Sequence, residues 1–213
     1  MTTLADPVEQ HFRLDCVDWE FYQTLLDQLG DRHVFVTFND GSIELMSPSW
    51  EHDKRGRRLG LLVSVLAEEL NIPVEGGGST TFKREDALAG LEPDECFYVA
   101  NFQRVTGKSE IDLSVDPPPD LAIEIEVSRR MIARMPIYAA LKIPEIWRDD
   151  GEHVHVHVLG NDGSYREERK SISFPTMPID QIDQFLDLAK TTDEMNWTRT
   201  VRNWVKKNLV GKT

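Results

Sequence analysis

The segment PPPDLAIEIEVSRR, residues 117–130, sets Asp120, Ala122, Glu124 and Glu126 on alternate positions and Leu121, Ile123, Ile125 and Val127 on the others. In an extended strand, alternate residues share one face and lie roughly 6.6 Å apart. Two ionised carboxylates at that spacing repel by about 2.5 kcal/mol at an effective dielectric near 20. The apolar, β-branched opposite face fixes the register, so the acids cannot slip apart. Either solvent screens them or a positive charge sits among them. Further acids come from elsewhere: Asp94 follows Pro93 at the mouth of the expected strand in LEPDECFYVANF (91–102), and Glu51 and His52 stand in the first turn of an expected helix. Seven and eight residues before Leu59, these two positions extend that helix's core-facing stripe, and the helix N-terminus favours the charge of Glu51. Two strand-borne acids and one helix-borne acid can surround a hard divalent cation, since Mg²⁺ takes oxygen ligands and keeps several waters.

The elements that must position these groups follow from pattern. DWEFYQTLLDQL (18–29) has helical spacing and stops at Gly30, and VFVTFNDGSIELM alternates around an Asn39-Asp40-Gly41 turn, which predicts a hairpin. Ser49 caps a helix running to about Leu70, with Leu59, Leu62, Val63, Leu66 and Leu70 as its apolar stripe. Strands are expected near 79–84, 94–99, 120–127, 145–148, 152–159 and 165–173, and helices near 136–142, 178–188 and 196–208. Strands and helices alternate, which predicts one α/β domain over 1–213 with helices on a mixed sheet.

The chain has 213 residues, 40% hydrophobic and 29% charged, a globular composition. Its net charge of −13 repels a phosphate backbone at long range, so a nucleic-acid role needs a local basic patch or a bound cation. Two cysteines in unrelated contexts, Cys16 and Cys96, form no disulfide framework or zinc cluster and fit a reducing cytoplasm. The N-terminal residues lack the basic and apolar regions of a signal peptide. The longest apolar run, 59–67, is too short to span a bilayer, so no membrane role is expected.

Taken in order, MSPSWEH (46–52), GGGSTT (76–81), EPDECFYV (92–99), PPPDLAIEIEVS (117–128) and PIYAALKIPEIWR (136–148) resemble the Uma-two family of restriction endonucleases, over about residues 30–190. The resemblance implies a restriction-endonuclease-like α/β core with a PD-(D/E)XK site, leaving 191–213 as a C-terminal helical extension. It makes Asp94 the acid of the PD element and Glu124 that of the (D/E)XK element. Asp120 matches a second Pro-Asp pair, and Glu51 is the helix-borne acid. Asp94, Glu124 and Asp120 are then the expected Mg²⁺ ligands, with Mn²⁺ as a substitute, and DNA is the expected substrate. Duplex cleavage needs two sites, which implies a homodimer. Glu126 departs from the pattern, which puts lysine there. It can act as base or hold a second metal but brings no positive charge; Arg134 is the replacement cation, able to clamp phosphate yet a poor base. A relative that binds nucleic acid or protein without cutting is the alternative.

Other features are expected to be structural. HVHVHV (153–158) reads as a solvated strand face, KRGRR (54–58) as the exposed side of a helix, and Trp197 and Trp204 as anchors docking the terminal helix. No lysine follows Gly76, Gly77 and Gly78 as a phosphate-binding loop requires.

Overall fold

The computed structural model describes residues 9–30 and 32–211; residues 1–8, where no signal peptide is expected, lie outside the described residues. Chain order is β1 (Gln10–Asp15), α1 (Trp19–Leu29), β2 (Phe35–Asn39), β3 (Ser42–Ser47), α2 (Trp50–Leu70), β4 (Glu75–Gly76), β5 (Phe82–Arg84), β6 (Ala89–Leu91) and β7 (Glu95–Tyr98). Then follow α3 (Phe102–Val105), β8 (Leu121–Ile125), α4 (Met135–Ala140), β9 (Glu145–Asp149), β10 (Val154–Leu159), β11 (Tyr165–Glu168), α5 (Ile179–Ala189) and α6 (Glu194–Asn208).

The strands form two sheets, the expected mixed central sheet and a second one built on the expected hairpin. A five-stranded antiparallel sheet runs β1-β3-β2-β6-β5, and a six-stranded sheet runs β11-β10-β9-β8-β7-β4. The reason is the company the hairpin keeps. Asp40 and Gly41, both at positive φ, turn β2 into β3, and β2 then pairs with β6, a three-residue strand too short to show alternation. Tyr22 of α1 stacks on Phe38 and leaves no room at Gly90, where a Cβ would fall 2.3 Å from the Tyr22 hydroxyl.

In the larger sheet β8 pairs antiparallel with β7 and parallel with β9, the crossover passing through α4. Both faces of β8 are buried along its whole length. Leu121, Ile123 and Ile125 pack into a core with α2, α5 and α6, while Ala122 packs with Ile137, Tyr138 and Ile146 under α4. The acidic face of the strand is therefore interior. Ser49 caps α2 by accepting from the His52 amide, and Asp193 caps α6 through the amides of Met195 and Asn196. The strand expected over 165–173 ends at Glu168, opposite Val156; the chain then turns so that Phe174 and Met177 reach the core. No helix among the described residues is long and apolar enough to cross a membrane.

Candidate active site

Glu124 sits in the middle of the site because β8 is a central strand and its register is fixed from both sides. Asp94 is locked beside it: its amide donates to the Ile123 carbonyl (3.0 Å), and its Oδ2 accepts from the Ile125 amide (2.6 Å). The two acids thus flank one short stretch of backbone. Helix α2 crosses this stretch at Gly56, whose position brings the Asp94 Cβ and the Ile125 side chain into van der Waals range.

The other Asp94 oxygen belongs to a buried relay. His52 Nε2 donates to Asp94 Oδ1 (2.6 Å), and His52 Nδ1 donates to Glu9 Oε1 (2.6 Å). Glu9 also accepts from the Ser128 hydroxyl, and His11 joins Ser128 (2.8 Å) to Glu44 (2.7 Å). Burial alone lowers the His52 pKa, but its bonds to Asp94 and Glu9 and their charges push it up to about 9, so the ring is a cation at neutral pH. Burial raises the Glu9 carboxyl, yet bonds from His52 and Ser128 hold it at about 2. Burial likewise works against the Asp94 charge, and His52 holds its pKa below the ordinary carboxylate value.

Glu124 is only 2% exposed, and both of its oxygens are engaged. Oε2 accepts from the Tyr138 hydroxyl at 2.6 Å; Oε1 lies 3.1 Å from Arg130 Nη2 and 3.2 Å from Arg134 Nε. Burial raises the Glu124 pKa, opposed by the charges of Arg134 and Arg130 and reinforced by Asp94. Arg134 is 5% exposed, with Nη2 donating to the Glu92 carbonyl and its guanidinium over the Tyr138 ring at 5.7 Å. Among the described residues its Nη1 has no hydrogen-bond acceptor, and its Nε meets Glu124 only as an ion pair. Both arginines come from the loop between β8 and α4, and Glu44 of β3 fixes that loop by accepting from the amides of Met131 and Ile132. Through Glu44 the smaller sheet thereby shapes the site in the larger one.

Alongside lies a cleft of about 440 Å³ lined by Glu124, Glu126, Arg129, Arg130, Arg134 and Arg148, among others. Glu126 is at its rim, half-buried and paired with Arg148 Nη1 at 3.0 Å.

Two expected site residues stand apart. Asp120 accepts from the amides of Val99 (2.7 Å) and Asn101 (2.9 Å) and from Asn101 Nδ2 (2.7 Å), so it stabilises the turn after β7. It precedes Glu124 by four strand residues, about 13 Å. It does not join the cluster as a metal ligand. Glu51 is exposed, against the expectation that both it and His52 continue the buried stripe. The seven-residue step back from Leu59 points inward; the eight-residue step points to solvent. The helix therefore contributes His52, an imidazole, in place of the carboxylate of Glu51. KRGRR also differs from expectation: Arg55 is buried in a two-bond pair with Asp149 (both 2.6 Å), and Arg58 is buried over the Trp197 ring. His52, Glu9, Arg130 and Tyr138 are the site residues that sequence reasoning missed. Only the i, i+7 step to Leu59 and the adjacent Arg129-Arg130 pair signalled any of them.

A divalent cation of the kind the resemblance implies needs hard oxygen donors. Among the described residues no three His, Cys, Asp or Glu side chains converge on a common point. Glu124, Asp94 and the Ile125 carbonyl do supply oxygens of the right type. A stand-in cation already rests on two of them, because Arg130 Nη2 lies 3.1 Å from Glu124 Oε1 and 3.2 Å from the Ile125 oxygen. The donor chemistry fits the ion; the position is held by a guanidinium.

A family model described as "Uma2: Putative restriction endonuclease" matches residues 19–181. Among solved structures, the chain is similar to one described as "a putative nuclease belonging to DUF820" from Anabaena variabilis. The two share 17% identity at a TM-score of 0.48, over 70% of this chain and 89% of that one. No curated protein matches the chain.

Proposed function

Because this chain belongs to the Uma2 family, described as "Putative restriction endonuclease", we propose that it is a divalent-metal-dependent nuclease hydrolysing phosphodiester bonds in DNA. The observation that carries this reading is the arginine-lined cleft beside Glu124. Arg134 lines it, and its buried Nη1 has no acceptor among the described residues, a cost of roughly 1–3 kcal/mol. A guanidinium fork matches a phosphate, and four arginines along one cleft give a chain of charge −13 the local positive surface it needs.

Asp94, Glu124 and the Ile125 carbonyl would hold the metal. When bound, such an ion lowers the pKa of a coordinated water and neutralises phosphate charge. The chain's residues do the rest. Tyr138 and Arg134 orient Glu124, while the Glu9–His52 pair fixes Asp94. Arg134 binds the phosphate and meets the charge that develops on it. Glu126 is the one acid at the cleft rim and would accept a proton from water, a task closed to an arginine.

The test is cleavage of plasmid and single-stranded DNA with Mg²⁺ or Mn²⁺, against an EDTA control. Glu124→Gln and Asp94→Asn should each lower the rate by on the order of a hundredfold or more. A folded wild-type protein that never cuts overturns the reading. Glu126 in the lysine position favours a second one, binding without cleavage. Salt-dependent DNA retention that weakens in Arg134→Ala, in protein that does not cut, would establish that alternative.

A further inference from the structure

The cation that balances the acids belongs to the protein, and it is one that can leave. Arg130 Nη2 bridges Glu124 Oε1 and the Ile125 carbonyl oxygen, and its charge also acts on Asp94. Its side chain is almost wholly buried, yet it lines the cleft of about 440 Å³, so a rotamer change carries the guanidinium from the oxygens into open space. Its backbone need not follow, because Glu44 holds the next two amides. Arg134, by contrast, is tied to the Glu92 carbonyl and stacked on Tyr138.

Charge makes the same point. The two carboxylates that would hold the ion, Asp94 and Glu124, already face two guanidiniums, Arg130 and Arg134. A dication added to this balanced, poorly solvated cluster leaves two positive charges uncompensated, which burial penalises. If Arg130 withdraws, and an anionic phosphodiester meets it in the cleft, the uncompensated charge falls from two to one.

We propose that Arg130 is an internal counter-ion that closes the oxygen cluster to divalent cations until a phosphodiester draws it away, so that metal and DNA phosphate bind cooperatively. This rests on the metal-dependent reading above and adds its regulation.

The test is calorimetric titration of Mn²⁺ into the full-length wild type, Arg130→Gln and the double variant Arg130→Gln/Glu124→Gln, with DNA cleavage measured separately. Arg130→Gln should bind Mn²⁺ about tenfold more tightly than wild type, and the double variant should lose that binding. Excess dimethyl phosphate, a stable phosphodiester, should tighten Mn²⁺ binding in wild type and not in Arg130→Gln. Equal or weaker binding by Arg130→Gln overturns the counter-ion role; metal-dependent cleavage by wild type would then leave the nuclease reading standing. Absence of Mn²⁺ binding in every variant, together with absence of cleavage, overturns both. Should Arg130→Gln fail to fold, Arg130→Met, which keeps an unbranched chain and removes the charge, asks the same question: tighter Mn²⁺ binding than wild type supports the role, and unchanged binding overturns it.

Discussion

Glu124 and Asp94 differ in how their neighbours treat the same charge. His52, itself held cationic by Glu9, keeps the Asp94 pKa low, whereas burial and Asp94 raise that of Glu124 against two arginines. Tyr138 is the neutral partner in this set, and burial drives its own pKa well above the ordinary tyrosine range, so it stays a donor to Glu124. The same effect at a simpler residue gives a clean test. Cys96 is buried between sheet and loop, which pushes its thiol up to about 12, while Cys16 is exposed. Only the thiolate reacts appreciably. Alkylation of native protein at pH 8 should therefore label Cys16 alone, and both cysteines after denaturation, as read by mass spectrometry. Labelling of Cys96 in the folded state would contradict the packing around Gly77, where a Cβ would lie 2.6 Å from its sulfur.

At the scale of elements, the histidines of β10 separate by environment. His155 is held between Glu167 (2.9 Å) and Asp150 (3.0 Å), so its pKa is raised, mainly by the Glu167 hydrogen bond. His157 is lowered, first by burial and then by Arg148. An NMR titration should find His155 losing its proton above the ordinary histidine value and His157 below it. The stability consequences have opposite signs. The His155 contribution is complete below its unfolded pKa and fades as pH rises through its raised folded value. His157 costs stability as pH falls below its unfolded pKa, because the unfolded ring then binds a proton that the folded one refuses. Reversal of the two values would mean the β10–β11 register is wrong. Helix α2 shows why a pattern can be read yet misassigned: the apolar stripe located its buried face, but a one-residue step in the first turn decided between Glu51 and His52. A period of 3.6 residues puts His52 about 20° from Leu59, inside the stripe, and Glu51 about 80° away, at its edge.

For the whole molecule, α6 is a strut of the core. Trp197 is fully buried, donates to the Phe185 carbonyl at 2.7 Å and supports Arg58 of α2 from below. Arg202 and Lys206 meet Glu68 and Glu69 of the same helix. Trp197→Ala should cost about 3–5 kcal/mol, measured by urea denaturation; a loss under 1 kcal/mol would mean that α6 is a detachable arm. The docking expected of Trp197 is what the structure has, and it matters for the site because α2 carries both His52 and Gly56.

Local pattern determined much of this chain. The hairpin at Asp40-Gly41, the Ser49-capped helix and the alternation of β8 were legible because each depends on neighbours in sequence, and with them came Glu124 on β8 and Asp94 just ahead of β7. The sequence also raised the need for positive charge among the acids, by simple Coulomb repulsion. Tertiary structure alone decided what supplies it. Glu9, Glu44, His52, Arg130 and Tyr138 come from five separate segments, and β1, β4 and β6 are too short or too irregular to announce themselves. Such convergence leaves no periodic trace, because side chains that meet across sheets are chosen by geometry and charge balance at a point in space.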